Sequence, residues 1–290
     1  MTSRPITFLK GHGTGNDFIL LPNLDGALSV SAALVAALCD RRRGLGADGV
    51  LVVSRTADEP EVANLAGLAP YFMDYRNGDG STAEMCGNGA RVFVAFLREA
   101  GLAESDEFVI ATRGGPRSVA VGTGDGLITI GMGHAEIVAG AGVTVAPAEA
   151  PQRTRPAMGV RMPNPHAVTW VEDVTEAGAL LSEPTVVPGH AFPDGANVEF
   201  VRVLAADHIE MRVFERGVGE TLSCGTGACA AAVATLHRSG AEPQGQKVQV
   251  DVPGGVVTVA WRPDGEVELT GPAVLVARGT VDRDWWDAHA

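Results

Sequence analysis

The sequence predicts an α+β protein of two similar halves, in each of which a curled, mostly antiparallel sheet encloses a helix. Three observations lead there. The first is a repeated motif. Cys86-Gly87-Asn88-Gly89-Ala90 and Cys224-Gly225-Thr226-Gly227-Ala228 both read Cys-Gly-x-Gly-Ala, and each opens an apolar run, Val92 to Leu97 and Cys229 to Leu236. The cysteines at 86 and 224 stand 138 positions apart, close to half of the 290 residues. The second is the balance of patterns, about sixteen strand-like segments against four helical ones. The third is the chemistry of the turns, of the Asn-Gly and Asp-Gly kind that closes antiparallel hairpins.

Ile6 to Lys10 is the first expected strand and Ile19 to Leu21 the second. Glycines 11, 13 and 15 lie between them, but their spacing is not the dinucleotide fingerprint and no helix follows. Ser31 to Arg42 is an amphipathic helix with Ser29 or Ser31 as N-cap, an inner stripe of Leu34, Val35, Leu38 and Cys39, and Gly44 as terminator. Arg41, Arg42 and Arg43 fall at its C-terminal end, where cations suit the helix dipole. Val50 to Ser54 and Tyr71 to Tyr75 are strands, and Ala57 to Ala69 a variable loop. After the Cys86 helix come strands at 108–112, 118–121 and 127–132. The Ala/Gly/Pro-rich stretch from Ala139 to Arg155 is expected to be exposed. The second half repeats the plan. It has strands at 157–162, 167–171, 198–204 and 208–214, a short helix over Val174 to Leu181, the Cys224 helix, and strands at 248–252, 255–261, 266–271 and 273–281.

Composition narrows the chemistry. Hydrophobic residues make up 46% and charged residues 20%, as in an ordinary soluble protein. A net charge of −13 repels nucleic acid and anionic membranes. The sequence opens without a basic-then-apolar leader and holds no bilayer-length apolar run, which predicts a cytoplasmic location. Four cysteines are too few for a disulfide scaffold in so long a chain, and their spacing makes no zinc pattern. The only lysines are Lys10 and Lys247, and neither has a setting suited to a pyridoxal Schiff base. The expectation is an enzyme with no metal and no organic cofactor.

A cysteine followed by glycines and an apolar helical run places a thiol at a helix N-terminus. Free amides and the helix dipole there favour a thiolate, so the thiol pKa is expected to fall. The same amides can receive a carboxylate. Two such thiols suit the inversion of a stereocentre: one takes a proton from an sp³ carbon and the other returns one to the opposite face. Helix amides aimed at the substrate carboxylate would stabilise the charge that develops on it. Taken singly, each cysteine also reads as a packing residue at a tight turn; the recurrence is what favours chemistry. A disulfide between the halves is a third reading, as a side reaction.

At these residues the chain resembles diaminopimelate epimerase, a two-thiol enzyme that needs no cofactor. The resemblance spans nearly the whole chain. It is carried by Gly15-Asn16-Asp17-Phe18, Asn77-Gly78-Asp79-Gly80-Ser81, Met85 to Arg91, Asn164-Pro165-His166, Asp194-Gly195-Ala196-Asn197 and Glu215 to Ala228. It implies two pseudo-symmetric α/β domains, 1–132 plus 272–290 carrying Cys86 and 133–271 carrying Cys224, with the active site in the cleft between them. It implies that Cys86 and Cys224 are the acid–base pair and that Gly87-Asn88 and Gly225-Thr226 bind the reacting carboxylate through their amides. Asn16, Asn77, Asn164, Asn197 and Arg216 would hold the distal amino-acid end, with His166 and Glu215 beside the reacting centre. The implied reaction interconverts LL- and meso-2,6-diaminopimelate, in lysine and peptidoglycan precursor synthesis, within a homodimer. Without the resemblance, Asn77 and Asn197 read as turn residues, His166 as a structural histidine and Glu215-Arg216 as a surface ion pair. The paired motifs also fit a proline or hydroxyproline racemase, and a non-catalytic amino-acid-binding protein is the reading from another class. Two departures stand out: Gly49 where the family often has Gln, and Pro163 where Gly is usual.

Overall fold

The computed structural model describes residues 5–138 and 142–290. The chain forms two compact units, Met1–Ile130 with Pro272–Ala290, and Gly131–Gly271. In order, the elements of the first unit are β1 (Ile6–Gly13), β2 (Asn16–Pro22), α1 (Ala32–Cys39), β3 (Gly49–Arg55), β4 (Tyr71–Asn77), α2 (Gly87–Glu99), β5 (Glu107–Thr112) and β6 (Gly115–Val121). Along β7 (Ile128–His134) the chain passes into the second unit. There it forms β8 (Glu136–Val138), β9 (Thr144–Ala146), β10 (Arg155–Arg161), β11 (Pro165–Trp170), β12 (Thr185–Val187), β13 (Asn197–Ala205), β14 (His208–Glu215) and β15 (Gly219–Glu220). Next come α3 (Gly225–Arg238), β16 (Gln246–Val252), β17 (Gly255–Trp261) and β18 (Glu266–Gly271). The chain then returns to the first unit as β19 (Val274–Val281) and α4 (Arg283–Asp287).

The two units share one wiring. In the first the strand order is β19-β1-β2-β3-β4-β5-β6-β7, and only the β2–β3 and β4–β5 pairs are parallel. In the second it is β8-β10-β11-β13-β14-β16-β17-β18, and only β11–β13 and β14–β16 are parallel. The parallel pairs fall at the same places. Each needs a crossover, and the later crossover in each unit is the helix that begins at a cysteine, α2 or α3. The expected curled, mostly antiparallel sheet around a central helix therefore holds in both units.

Why the central helices are apolar follows from this wiring. α3 touches β10, β11, β13, β14, β16, β17 and β18, and its side chains from Gly227 to Leu236 are buried all round. A helix ringed by strands has no polar face to show. Ala228, Ala230, Ala231, Ala232 and Ala234 allow the sheet to close on it tightly. The sheets carry a second buried layer outside. In the first unit Ile19, Leu21, Val50 and Val52 pack on Leu34, Val35, Leu38 and Trp286. Phe18 and Leu51, on the opposite face, approach Gly89 of α2. Strands buried on both faces read as continuous apolar runs, as β2 and β3 do. In the second unit Ala167, Val198, Phe200 and Phe214 form the outer layer with Val145, Leu180 and Phe192.

Several expectations are corrected. α1 ends at Cys39 rather than Arg42, and no basic residue lies in its last turn. Arg41 turns instead to Asp17 and Asp48. The expected loop 57–69 contains two 3-10 turns, Thr56–Asp58 and Ala63–Leu65, and buries Val62 and Ala69. The helix expected over 174–181 is one 3-10 turn, Val174–Ala177, closed by a capping box between Asp173 and Glu176. Of the stretch expected to be exposed, residues 139–141 lie outside the described residues. Beyond them Val143, Val145 and Ala146 are buried, because β9 pairs with β10 and β12. α4 has no counterpart in the sequence reading; Asp282 caps it and it buries Trp286. Among the described residues no helix is long and apolar enough to cross a membrane.

Candidate active site

Each motif cysteine is the N-cap of its helix. Cys86 and Cys224 have extended backbones, with φ −141°, ψ 117° and φ −110°, ψ 114°. Each sulfur accepts a hydrogen bond from the amide three residues on, Gly89 at 3.4 Å and Gly227 at 3.3 Å. Cysteine thus plays the part usual for serine or aspartate, which brings its sulfur over the open end of the helix. Among the described residues no disulfide joins any of the four cysteines. Burial pushes the Cys39 thiol up to about 11.

Two side-chain amides stand beside Cys86. Its thiol lies 3.8 Å from Asn16 Oδ1, and Asn88 Nδ2 donates to the same oxygen at 3.3 Å. Asn16 Nδ2 in turn donates to Asp48 Oδ2 at 2.7 Å. Asp48 belongs to a charged group with Asp17, Lys10 and Arg41. Burial of Asp17 opposes its charge, but hydrogen bonds from Arg41 and Lys10 win and hold its carboxyl well below the usual range. On the other side Arg91, fully buried, donates to Asn88 Oδ1 at 2.8 Å and to the carbonyls of Gly87 and Pro272 at 3.3 and 3.2 Å. Asn88 is held from both ends. Asn77 sits in a group of its own, where it accepts from the Tyr75 hydroxyl at 2.7 Å and donates to Ser81 Oγ at 3.0 Å. Across the sheet it faces Gly49. A Cβ at Gly49 would meet Arg76 O at 2.6 Å and the Tyr75 ring at 2.9 Å, so no larger side chain fits there without a shift.

Around Cys224 the partners are carboxyls. His166 Nδ1 lies 2.7 Å from Glu199 Oε1, and both side chains are fully buried. His166 Nε2 lies 3.0 Å from Asn164 Oδ1. Glu215 accepts from the Thr221 hydroxyl, and Cys224 Sγ lies 3.5 Å from Thr226 Oγ1. Strand alternation assembles this group. His166 faces Asn197 across β11–β13, Glu199 follows Asn197 by two residues, and Glu199 faces Val213, two before Glu215. The intervening Ala167, Val198, Phe200 and Phe214 turn to the outer core. Burial raises the Glu199 and Glu215 carboxyls above the usual range. Burial also pushes the Cys224 thiol well above its ordinary value, and Glu215 and Glu199 add to the rise. The expectation that the helix end lowers this pKa is therefore corrected: desolvation and two neighbouring carboxyls outweigh the amide of Gly227 and the Thr226 hydroxyl.

Near this group Asn197 Oδ1 accepts from the Arg216 amide at 2.9 Å, and the exposed Arg216 guanidinium donates to Asp194 O at 2.8 Å. Gly195, with φ +79°, lets the loop pass close to the Arg216 side chain. Pro163 is exposed in the turn between β10 and β11, where Met162 donates to Asn164 O at 3.1 Å. The sequence reading missed Glu199, Arg91 and Asp48. A charged residue inside an apolar run marks the first two: Glu199 in Val198-Glu199-Phe200-Val201, and Arg91 in Ala90-Arg91-Val92-Phe93.

The family model for diaminopimelate epimerase matches residues 8–138 and 158–276. The chain is 52% identical to the diaminopimelate epimerase of Streptomyces coelicolor over 287 residues, 98% of each chain. It is 49% identical to that of Thermobifida fusca, over 94% of this chain and 97% of the relative. It is 45% identical to that of Rhodococcus jostii, over 98% and 99%. Among solved structures, a phenazine biosynthesis protein from Bacillus anthracis has a TM-score of 0.71 at 16% identity, covering 96% of this chain and 99% of that one. A hydroxyproline epimerase from Agrobacterium vitis has a TM-score of 0.68 at 15% identity, covering 97% and 94%. These last two establish likeness of fold.

Proposed function

The chain belongs to the diaminopimelate epimerase family, and we propose on that premise that it interconverts LL- and meso-2,6-diaminopimelate by proton transfer between Cys86 and Cys224. The observation that carries the reading is the repeated N-cap, two thiols presented in the same way by helices at equivalent places in two like-wired units. One sulfur, as thiolate, takes the α-proton; the C–H electron pair passes into the substrate carboxylate. The other sulfur, as thiol, delivers its proton to the opposite face of the same carbon. The enzyme ends with the roles of its thiols exchanged, and atoms balance without a further reactant.

The α-proton of an amino acid is a very weak acid, so the charge that develops must be met. The open amides of Gly87-Asn88 and Gly225-Thr226 are suited to the reacting carboxylate. Glu215 suits the α-ammonium, and that cation would favour its ionised form. Arg216 can grip the distal carboxylate through paired donors, with Asn16, Asn77, Asn164 and Asn197 as further polar contacts to that end. His166, held by Glu199 and Asn164, would stand beside the reacting centre. The reaction uses these side chains and amides alone. A homodimer in the cytoplasm, working in lysine and peptidoglycan precursor synthesis, completes the reading; sedimentation tests the dimer.

Incubation with LL-diaminopimelate in deuterium oxide should give meso product with one deuterium at the inverted carbon. Cys86→Ala and Cys224→Ala should each lower turnover by at least about a thousandfold, within the range for losing a general acid or base. Turnover retained in either variant would refute the two-thiol mechanism.

A further inference from the structure

The shared wiring allows residue-by-residue comparison of the ground beneath the two thiol helices. In the first unit Phe18 faces Gly49 across a parallel pair, and Leu51 follows two residues later. In the second His166 faces Asn197 across the equivalent pair, and Glu199 follows two later. The third helical residue confirms the match from above. A Cβ on Gly89 would stand 3.2 Å from Leu51 Cδ2 and 3.5 Å from the Phe18 ring. A Cβ on Gly227 would stand 2.8 Å from Glu199 Oε1 and 3.2 Å from Cys224 Sγ. The apolar pair Phe18–Leu51 beneath one helix is thus replaced by the polar pair His166–Glu199 beneath the other. Packing alone is met by leucine at this place, as the first unit demonstrates. Glu199 is fully buried, and its Oε2 has no hydrogen-bond partner among the described residues, an arrangement costly to maintain for packing.

We propose that Glu199 is a positioning residue for the Cys224 site, acting through His166 to keep that thiol in its acid form until substrate arrives. The proposal rests on the functional reading above. The groups that face Cys224 are Glu199 from β13, Glu215 from the end of β14, and the Gly227 amide and Thr226 hydroxyl of its own helix, while His166 from β11 stands against the two carboxyls. This group contains two carboxyls and a thiol but one imidazole. A buried cluster tolerates little net charge, and the imidazole, the one side chain of the group able to offset an anion, has a single carboxyl partner to serve. Glu199 is that partner, at 2.7 Å. Glu215 then lacks an internal counter-charge, and Cys224 stays protonated. The ammonium of an amino-acid substrate supplies that counter-charge, so charge on Glu215 or sulfur becomes affordable only in the complex. The burial-driven rise of the Cys224 thiol, to which both carboxyls add, has the same sense.

Glu199→Gln keeps the shape and an acceptor for His166 Nδ1 while removing the charge. The test uses Cys86→Ala protein without substrate. Iodoacetamide labelling of Cys224 is followed against pH, with the modified peptide read by mass spectrometry. The labelling midpoint should fall by about one pH unit on Glu199→Gln, the scale expected for losing a nearby like charge. Glu199→Leu, which places here the residue found at position 51, should shift it in the same direction and serves if the glutamine variant fails to fold. With Cys86 restored, the alkaline limb of kcat/KM in Glu199→Gln should move by the same amount. An unchanged midpoint in either folded variant would overturn the proposal, since a merely structural role alters stability and not the midpoint. The labelling needs no turnover, so it is decided separately from the wild-type deuterium experiment on which the functional reading depends.

Discussion

Gly89 and Gly227 occupy the same place in their helices, and alanine at the two should have unequal consequences. Each glycine is the third helical residue, and its amide donates to the cysteine sulfur. Alanine at a helical site gains roughly 0.5–1 kcal/mol over glycine through backbone entropy. At position 89 the new methyl meets Leu51 Cδ2 at 3.2 Å and the Phe18 ring at 3.5 Å, a tight apolar contact that a small side-chain rotation relieves. At 227 it meets Glu199 Oε1 at 2.8 Å. That oxygen is a side-chain end, but it is buried and bonded to His166, so it cannot swing into solvent. Either the carboxyl gives way by about 0.5 Å, weakening a charge-assisted bond worth roughly 1.5–3 kcal/mol, or the helix end lifts. Overpacking of this kind costs about 1–3 kcal/mol.

Set against the entropy gain, Gly227→Ala should lose about 1–2 kcal/mol, and Gly89→Ala should stay within about 1 kcal/mol of wild type. For units of this size that is a fall in Tm of roughly 2–8 °C for Gly227→Ala, read by scanning calorimetry. Because the shift falls on Glu199 and the Cys224 sulfur, kcat should drop about a hundredfold, the scale for misplacing catalytic groups by up to 1 Å. If Gly227→Ala matched Gly89→Ala in both Tm and kcat, the close approach of Glu199 to this helix would be refuted.

Arg91→Lys keeps the charge but loses the fork that reaches Asn88 Oδ1 and two carbonyls; it should cost about 2–3 kcal/mol in urea unfolding and raise KM through a loosened Asn88. Asp17→Asn should destabilise at pH 7 and converge with wild type in acid. The Asp17 carboxyl is held below its unfolded value, so its contribution is present above about pH 4 and is lost as pH falls through the folded value. Glu215→Gln should act in the opposite sense. A carboxyl raised by burial stabilises the fold below its unfolded pKa and loses that contribution as pH rises through the folded value, so the variant should lose less stability than wild type as pH rises above the ordinary carboxylate range, measured by urea midpoints.

What could be read from the sequence divides along physical lines. Cys86 and Cys224 were legible because an N-cap followed by glycine and an apolar run is a local pattern, and it occurs twice. The strands β2, β3 and β13 were legible because burial writes itself into composition. His166, Asn197 and Glu215 emerged as site candidates only through resemblance, since their meeting depends on pairing across β11, β13 and β14. Glu199 escaped for a related reason. Its charge interrupts an apolar strand, but which face it occupies is fixed by register, a property of two strands rather than of one. Arg41 misled because its sequence position favours the end of α1, whereas its partners Asp17 and Asp48 are brought in by β2 and the β3 approach.

The same division bears on the chemistry. A helix end lowers a thiol pKa only as far as its surroundings let it. The sequence repeat carries the helix end twice but not the surroundings, which come from strands that have diverged. Beneath α2 the sheet offers Phe18 and Leu51 and the thiol meets the amide of Asn16. Beneath α3 it offers His166 and Glu199, with Glu215 beside the thiol. The motif is shared by the two units, and the residues beneath it are not. An epimerase that runs in both directions must use each thiol as acid and as base, so it does not need two identical environments. It needs the substrate's own charges to bring the two environments to parity. On the proposed reading, Glu199 and Glu215 beside Cys224 share one imidazole partner, and the ammonium of an amino-acid substrate would supply the second counter-charge.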